Sequence, residues 1–459
     1  MRSAWFVWVM VCMVLSSNSL ADFDFFPVCT ETGIQQHPAL NDQIMVWSDG
    51  RLGTSDYNIY GKRFSEPNLI EICTASGNQI QPAVSGSVVV WEDARYGNPD
   101  IYGYDLDLRQ EFPVCTNGSS QQNPAVSGSI IVWQDARNGN TDIYGYDLTR
   151  PAGLREFVIC DEEHEQLYPA IDYPWVVWAD DRNGNYDIYA KNLLTGVEQA
   201  VCTDTAEQFY PAVSGTRVVW QDKRNKATMD TDIYGRLLTG GSDFAICSIA
   251  QRQKNPVIYG SFVVWEDRRN GSDYDLYMYN FDTGITQAVT TWPEDQGQAA
   301  VGSEWIVWQS ATNLYRSQIP VPASITVLSP NGSEMFLAGT SVDIEWISQG
   351  PVSEYVDIFL SDDNGQSWIP VAQPTANMGS VQWVLPSDLD SEQCLIQISD
   401  SADSEIMDQS ESVFTVFMCE TSLTADLTGD CFVDLEDFAV LTNQWLLCGN
   451  PYDSNWCFE

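Results

Sequence analysis

Near the carboxyl end of the chain, oxygen-bearing side chains recur at the spacing that a hard cation requires. A twelve-residue loop runs from Asp426 to Asp437 and places side-chain oxygens at its positions 1, 3, 5, 9 and 12, with a backbone carbonyl at 7. Ca²⁺ takes six to eight oxygen ligands, and this spacing wraps them around one point. An acidic surface turn is the alternative interpretation. The predicted ligands are Asp426, Thr428, Asp430, Phe432 through its carbonyl, Asp434 and Asp437.

Charged residues of a second kind recur through the first two thirds of the chain. Each set has an Asp, an Arg two residues later and another Asp further on. Paired carboxylates serve acid–base catalysis in many enzymes. One active site needs one constellation, however, so the repetition favours a structural Asp–Arg–Asp network of charge-assisted hydrogen bonds. The sets are Asp93/Arg95/Asp100, Asp135/Arg137/Asp142, Asp180/Arg182/Asp187, Asp222/Arg224/Asp232 and Asp267/Arg269/Asp275.

These sets belong to a repeat of about 43 residues, which predicts a mainly β fold with a seven-bladed β-propeller. Each copy carries four short runs of Val, Ile, Tyr and Trp separated by Gly, Asn and Asp, the pattern of four strands and of one blade. Tryptophans at one position of each repeat would pack between adjacent blades. These tryptophans are Trp47, Trp91, Trp133, Trp178, Trp220, Trp265 and Trp308.

The two ends of the repeat region predict how the ring closes. The seventh copy has Thr290 in place of the repeat cysteine and supplies only three strands before Pro320. Residues 24–28 match its missing outer strand. An N-terminal strand in the last blade would close the ring and remove its exposed edges.

The copies resemble TolB-like propeller repeats, in the variant written V-V-W-x-D-x-R-x-G-N-x-D-I-Y. The best matches are residues 90–102, 132–144 and 177–189. The resemblance covers about residues 22–318 and implies the propeller fold, but no particular reaction, because propellers host many functions.

Two further residue types repeat at fixed positions. The expected role of the glutamines is to cap their own loop backbone, and the alternative is a ring of ligand-binding amides at one channel mouth. The cysteines lie at equivalent points of different blades, beyond the Cα separation of a disulfide, and are predicted to be buried thiols. The residues are Gln35, Gln79, Gln121, Gln166, Gln208, Gln253 and Gln296, and Cys29, Cys73, Cys115, Cys160, Cys202 and Cys247.

Residues 324–417 predict a β-sandwich, because short apolar–polar alternating segments follow one another there. The stretch resembles the Ig-like domain of the Ser/Thr-rich, membrane-anchored cell-wall protein family at 330–332, 344–346 and 383–386. That resemblance implies adhesion or spacing. Residues 361–368 also match the Asp-box hairpin, which is usually a structural element.

Residues 418–459 resemble a dockerin repeat, in which the twelfth loop residue is Asp. The resemblance implies a single EF-hand-type loop that binds Ca²⁺ through the six residues named above, and a cohesin-like partner. Cys431 replaces the usual Gly at loop position six, and only one of the two repeats of a full dockerin is evident. Cys419, Cys431, Cys448 and Cys457 predict two disulfides, with three pairings open.

Composition and the N-terminus narrow the compartment and the partners. The chain has 21 Lys and Arg against 64 Asp and Glu, a net charge of −43, so it lacks a basic face for nucleic acid or an anionic membrane. Two histidines exclude a multi-histidine metal centre. Residues 1–21 predict a secretory signal peptide, and no other apolar run is long enough for a membrane helix. We expect a protein of the periplasm, cell surface or medium.

Two functions from different classes fit this organisation. The first is a modular binding or adhesion protein, in which the propeller recognises a protein or polysaccharide partner and the tail docks in a Ca²⁺-dependent way. Near-uniform blades and the lack of a nucleophile–His–acid signature favour it. The second is an extracellular polysaccharide hydrolase or lyase that carries a dockerin and uses carboxylates at the channel mouth.

Overall fold

The computed structural model describes residues 23–53, 56–225, 230–321, 323–418, 427–428, 433 and 435–447. The predicted signal peptide and the four tail cysteines lie outside the described residues. The chain divides into two compact units, Met1–Ile319 and Pro320–Glu459. Within the described residues, no helix is long and apolar enough to cross a membrane.

The described part of the first unit consists of seven antiparallel sheets of four strands each. Strand β1 (Phe25–Cys29) comes first in the chain. Sheets 1 to 3 contain β2 (Gln35–Leu40), β3 (Ile44–Asp49), β4 (Asn58–Arg63) and β5 (Leu69–Cys73); β6 (Gln79–Ser85), β7 (Val88–Asp93), β8 (Asp100–Asp105) and β9 (Gln110–Cys115); and β10 (Gln121–Ser127), β11 (Ile130–Asp135), β12 (Asp142–Asp147) and β13 (Glu156–Cys160). Sheets 4 to 6 contain β14 (Gln166–Asp172), β15 (Trp175–Asp180), β16 (Asp187–Asn192) and β17 (Glu198–Cys202); β18 (Gln208–Ser214), β19 (Arg217–Asp222), β20 (Asp232–Leu237) and β21 (Phe244–Cys247); and β22 (Gln253–Tyr259), β23 (Phe262–Asp267), β24 (Asp275–Asn280) and β25 (Ile285–Ala288).

Sheet 7 joins strands from both ends of the unit. It contains β26 (Gln296–Val301), β27 (Trp305–Ser310) and β28 (Asn313–Gln318), and β1 pairs antiparallel with β28. The first strands of sheets 1 to 7 contact one another in order, and β26 of sheet 7 contacts β2 of sheet 1. The sheets therefore form a closed ring, and the N-terminal strand takes the place that the sequence predicted for it.

The tryptophans of the shared register pack between neighbouring sheets, as predicted. Trp91 of sheet 2 lies in one hydrophobic cluster with Val46 and Ile59 of sheet 1. Trp47 of sheet 1 lies in a cluster with Val307 of sheet 7. All seven are completely buried. Burial of a large apolar side chain contributes roughly 2–3 kcal/mol, so these contacts hold adjacent sheets together.

The second unit contains two sheets around one core. Ile344 and Trp346 of one sheet and Ile358, Ile396 and Phe414 of the other are buried in the same cluster. This arrangement agrees with the predicted sandwich, and its assignment as Ig-like stays a prediction. The three-stranded sheet contains β29 (Ser324–Ser329), β31 (Ser341–Gln349) and β34 (Ser380–Val384), and the six-stranded sheet contains β30 (Met335–Leu337), β32 (Tyr355–Ser361), β33 (Ile369–Ala376), β35 (Ser391–Asp400), β36 (Met407–Gln409) and β37 (Phe414–Phe417).

The Asp-box segment forms a self-contained turn between β32 and β33. Asp363 accepts hydrogen bonds from the Ser367 N–H (2.8 Å) and the Ser367 Oγ–H (2.6 Å), and Ser361 Oγ donates to the same carboxylate (2.8 Å). These hydrogen bonds lower the pKa of Asp363 to about 2. All of the partners belong to the turn itself, which agrees with a structural role.

Candidate functional site

The seven repeat glutamines cap their own loops. All are completely buried. Gln121 Nε2 donates to the Ser119 carbonyl (2.7 Å) and Gln79 Nε2 to the Gly77 carbonyl (3.1 Å), and the other five make the same kind of contact. The expected capping role is confirmed, and the alternative, a ring of these amides at the channel mouth, is wrong.

The Asp–Arg sets also join neighbouring sheets, through the repeat cysteines. Arg137 of sheet 3 binds Asp135 (Nη2 to Oδ2, 2.6 Å) and Glu156 (Nη1 to Oε1, 2.6 Å), and it donates to the Cys115 sulfur of sheet 2 (3.1 Å). Burial raises the pKa of the Cys115 thiol to about 12. The six repeat cysteines are free and buried, as predicted. Their thiols therefore act as structural acceptors for the next sheet's guanidinium.

In four sets the second Asp is held by asparagines of the turn and not by the Arg, so the predicted Asp–Arg–Asp network is wrong in that part; these residues are Asp100, Asp142, Asp187 and Asp275. The Asp142 carboxylate accepts hydrogen bonds from Asn138 Nδ2 (2.7 Å) and Asn140 Nδ2 (2.8 Å). Asp187 is held in the same way by Asn183 and Asn185. The Arg of the set already binds the first Asp and an acidic residue of the outer strand. The asparagines of the turn are therefore the donors that bind the second Asp.

The channel mouth is formed two residues after each capping glutamine. There the first strand of every sheet has a bulge, and the bulged residue adopts a left-handed backbone with φ between 49° and 56°. Such angles are uncommon for residues other than glycine and point to a functional or structural constraint. We name these residues the mouth ring: His37, Gln81, Asn123, Tyr168, Tyr210, Asn255 and Gln298.

The mouth ring surrounds a cavity of about 430 Å³ on the axis of the seven sheets. All seven ring residues line it, together with the Pro or Ala that follows each of them. A cavity of this size suits a small ligand or the end of a longer one.

A side chain from the preceding sheet holds most ring residues by their backbone N–H. The Asn123 N–H donates to Glu92 Oε1 (2.7 Å), and the Tyr168 N–H donates to Gln134 Oε1 (2.7 Å). Tyr210 is an exception. The residue of sheet 4 that is equivalent to Glu92 and Gln134 is Ala179, whose side chain has no hydrogen-bond acceptor. The contact between sheets 4 and 5 at this level is aromatic instead.

An aromatic pair forms one side of the mouth. The Tyr168 and Tyr210 rings have centroids 4.3 Å apart, and their hydroxyl oxygens are 3.5 Å apart. Burial and the neighbouring hydroxyl raise the pKa of Tyr168, so its phenol is neutral at physiological pH. Tyr210 remains 38% exposed. The pair presents an apolar surface with polar edges to whatever enters the cavity.

Polar groups form the facing side of the mouth, between sheets 6, 7 and 1. Glu266 binds Lys254 Nζ (2.7 Å), Asn255 Nδ2 (3.0 Å) and the Gln298 N–H (2.9 Å). Gln298 Oε1 in turn accepts the His37 N–H (2.7 Å). Burial lowers the pKa of His37 to about 4, so this imidazole is neutral at pH 7. Amide and imidazole groups are therefore fixed around the cavity without a net cation.

One buried acid behind the ring lacks a cationic partner among the described residues. Glu92 is 3% exposed, and burial raises its pKa to about 7 although the Asn123 N–H hydrogen bond opposes the shift. Its counterparts in the next sheets include the neutral amides Gln134 and Gln221. Glu92 does not line the cavity, so its carboxyl positions Asn123.

In the tail, the structure describes two of the six predicted calcium ligands. Asp437 lies near the start of helix α1 (Leu435–Leu447) and is buried. Its Oδ1 accepts hydrogen bonds from the Leu427 N–H (2.7 Å), the Thr428 N–H (3.0 Å) and the Thr428 hydroxyl (3.1 Å). Loop positions 3 and 12 are thus adjacent, which fits a loop that closes around a cation. Asp426, Asp430, Phe432 and Asp434 lie outside the described residues.

Sequence reasoning missed the mouth ring, although a signal was present. Each ring residue precedes Pro or Ala299, and the seven positions hold four residue types, whereas the neighbouring Gln and Pro barely vary. Variation at one position inside a strict repeat indicates a place that all seven copies line and where their side chains differ. The left-handed bulge that turns these residues inward leaves no mark in the sequence pattern.

No protein-family model matches this sequence, and no curated protein matches it. Solved structures do match the first part of the chain. The β-propeller domain of the Trilobed protease from Pyrococcus furiosus aligns with 62% of this chain and 95% of its own length, at 12% identity and a TM-score of 0.51. This likeness shows the fold alone, which is a β-propeller.

Two further structures are similar at lower scores. A putative TolB from Agrobacterium tumefaciens aligns with 55% of this chain and 95% of its own length, at 14% identity and a TM-score of 0.39. A puromycin-hydrolyzing peptidase from Mycobacterium tuberculosis aligns with 61% of this chain at 11% identity and a TM-score of 0.47, and this chain spans only 49% of its length. TM-scores under 0.5 add nothing to the fold assignment.

Proposed function

We propose that this chain is a secreted, modular glycan-binding protein. Its seven-bladed, TolB-like propeller binds a polysaccharide end or oligosaccharide at the mouth ring. Its Ig-like sandwich spaces the propeller or adheres to a surface, and its dockerin-like tail binds Ca²⁺ and docks to a cohesin-like partner. The observation that carries the proposal is the asymmetry of the mouth ring.

That asymmetry matches the chemistry of a sugar. A sugar ring has apolar C–H faces, which pack on aromatic rings, and hydroxyl groups, which hydrogen bond to amides. The mouth has the Tyr168–Tyr210 pair on one side and Asn255, Gln298 and His37 on the other. A protein partner would instead need a broad surface, whereas these groups converge on one cavity of about 430 Å³.

The calcium proposal for the tail rests on the donor set and on the closed loop. Carboxylate, hydroxyl and carbonyl oxygens are the ligands that Ca²⁺ prefers. The contact between Thr428 and Asp437 supports the predicted spacing. When bound, the ion would neutralise part of the acidic loop and fix its shape for a partner.

A polysaccharide hydrolase or lyase is the second candidate. Its support is Glu92, because an acid whose pKa lies near 7 suits general acid catalysis. Its weakness is that Glu92 is buried behind the ring and does not touch the cavity. Binding therefore ranks first.

A polysaccharide panel tests binding and catalysis together. The mature chain is incubated with each polysaccharide while retention and the release of reducing ends or unsaturated ends are measured. We expect retention on at least one neutral polysaccharide and no release of ends. Release would contradict the binding proposal and favour the enzyme.

A matched pair of tyrosine variants assigns the binding to the mouth. Tyr210→Ala removes half of the aromatic pair and is expected to weaken retention about tenfold or more. Tyr259→Ala is the control, because Tyr259 lies at the end of the equivalent strand of sheet 6 and is similarly exposed, 40% against 38%. Equal retention by both variants would place the ligand elsewhere.

A further inference from the structure

A second cavity adjoins the mouth. It lies between sheets 6 and 7, has a volume of about 640 Å³ and is lined by Lys254, Glu266, Tyr274 and Gln309 among others. Asn255 and Gln298 line both this cavity and the mouth. We name it the side pocket. The two cavities are therefore neighbours that share two residues of the mouth ring.

Two departures from the repeat lie beside the side pocket. Gly297 stands where the other first strands carry a side chain, and a Cβ there would lie 2.9 Å from the Glu266 carboxylate. The turn after β27 is also shortened, since β28 begins three residues after β27 ends at Ser310, whereas Asp135 and Asp142 are seven residues apart in sheet 3. The residues equivalent to Gly297 are Gln36, Ile80, Gln122, Leu167, Phe209 and Lys254.

The side pocket is polar and carries a net negative charge. Lys254 is its one cation, and its Nζ is 2.7 Å from Glu266 and 4.0 Å from the centre of the Tyr274 ring. Glu294 and Asp295 are exposed at its edge. One lysine against three carboxylates leaves two negative charges. A ligand that carries carboxylates would therefore be repelled, whereas hydroxyl groups would find both donors and acceptors.

We propose that the side pocket is a second subsite, which makes the protein selective for neutral glycan chains of several units over uronic acid chains. The inference rests on the proposed glycan binding at the mouth. One sugar unit packs on Tyr168 and Tyr210, and the following units extend past Gln298 into the side pocket. The side pocket raises the affinity for longer chains, and the carboxylates of Glu294 and Asp295 lower the affinity for negatively charged ones.

A comparison of the affinities for short and long glycans distinguishes binding in the side pocket from binding at the mouth. The probes are neutral disaccharides and hexasaccharides of the glucose, xylose and mannose series, and a hexagalacturonate. Tyr274→Ala removes the one aromatic side chain that lines the side pocket, and Tyr274 does not line the mouth. We expect a loss of about tenfold or more for the hexasaccharide and little change for the disaccharide. Tyr259→Ala, at an exposed tyrosine of the same sheet outside both cavities, is the control and should change neither.

A charge variant tests selectivity without touching the pocket's packing. Glu294→Gln combined with Asp295→Asn keeps the shape and removes two negative charges, so hexagalacturonate should gain affinity while the neutral hexasaccharide stays within about twofold. If disaccharide and hexasaccharide lose affinity equally in Tyr274→Ala, or if the charge variant changes nothing, the side pocket is not a subsite and the mouth proposal stands. If no neutral glycan binds, or Tyr210→Ala changes no affinity, both proposals are wrong.

Discussion

Within each Asp–Arg set, one completely buried carboxylate organises the end of a strand. Asp135 accepts hydrogen bonds from Trp133 Nε1 (2.9 Å), Arg137 Nε (2.9 Å) and the Arg137 N–H (3.0 Å). Burial by itself would raise the pKa of Asp135, but the hydrogen bonds from Arg137 and Trp133 outweigh it, and the pKa is lowered. The Asp135 carboxylate is therefore charged at pH 7, and the Arg137 guanidinium stabilises this buried charge.

Removal of the Arg137 guanidinium should destabilise the folded protein. Arg137→Ala leaves Asp135 buried and charged without its partner, so we expect a loss of about 3 kcal/mol or more in the free energy of unfolding. The control is Arg150→Ala, because the Arg150–Asp147 pair is at the surface, with the Arg side chain 49% exposed. A surface pair contributes less than about 1 kcal/mol. Urea unfolding at pH 7 measures both, and equal losses would contradict a supporting role for the buried set.

Glu92 gives the mouth a distinct pH dependence of stability. The pKa of Glu92 is about 7 in the folded chain, whereas the ordinary value for glutamic acid is 4.5, so the folded state binds more protons between these values. Stability is then lost as the pH rises from 4.5 to 7. Glu92→Gln keeps an acceptor for the Asn123 N–H, as Gln134 does in the next sheet, and removes the buried charge.

We expect Glu92→Gln to be more stable than the wild type at pH 8, by about 1–3 kcal/mol, and nearly equal to it at pH 4. Unfolding by urea across this pH range measures the difference. Glu66→Gln, at a side chain that is 56% exposed, is the control and should show no such trend. A pH-independent difference for Glu92→Gln would show that the carboxyl is not buried in its charged form.

At the scale of strands and sheets, a strict repeat made the fold predictable. Tryptophans at one register, four strands per copy and a missing outer strand were enough to predict the sheets and their closure. Three features were beyond the sequence. The left-handed bulges at Asn123 and Tyr168 accompany hydrogen bonds to the preceding sheet, the partners of Asp142 depend on the turn geometry, and the side pocket depends on how sheets 6 and 7 meet. Each arises between elements rather than within one.

The closing strand β1 should be essential for a monomeric ring. A chain that begins at Thr30 loses the pairing of β1 with β28 and the contacts of Val28 and Cys29 with Trp47 and Leu314. The unpaired edge of β28 would then be free to pair with another chain. We expect the Tm to fall by roughly 5–10 °C and the chain to self-associate in a concentration-dependent way.

Calorimetry and light scattering measure these two effects, with a chain that begins at Asp22 as the reference. A synthetic peptide of residues 23–29 should restore the Tm and suppress association, and a scrambled peptide should not. A truncated chain that stays monomeric with an unchanged Tm would show that β1 is dispensable.

Over the whole molecule, charge is divided unequally between the two units. The last cation of the chain is Arg316, and 23 Asp and Glu follow it without a single Lys or Arg. In the propeller, carboxylates are largely held by arginines and asparagines, as at Asp135 and Asp142. The sequence of the second unit contains no Lys or Arg, so its acidic residues have no internal cation and repel one another unless cations come from solution.

Calcium should therefore stabilise the second unit and leave the propeller unchanged. Binding to the folded state adds about 2.7 kcal/mol at a free Ca²⁺ concentration of one hundred times the Kd, and two independent units should give separate thermal transitions. Differential scanning calorimetry of the mature full-length chain is expected to show one transition that rises with Ca²⁺ and another that does not. Asp426→Ala should abolish the rise by removing the first ligand.

Asp343→Ala is the control for the calcium effect, because Asp343 is an exposed acid on β31 of the same unit, outside the loop. A rise that survives in Asp426→Ala but is lost at high ionic strength would mean that calcium only screens the acidic surface. Asp437→Ala alone cannot decide this, since Asp437 also holds the backbone of Leu427 and Thr428. A rise that is lost in Asp426→Ala and kept in Asp343→Ala would establish a bound ion in the loop.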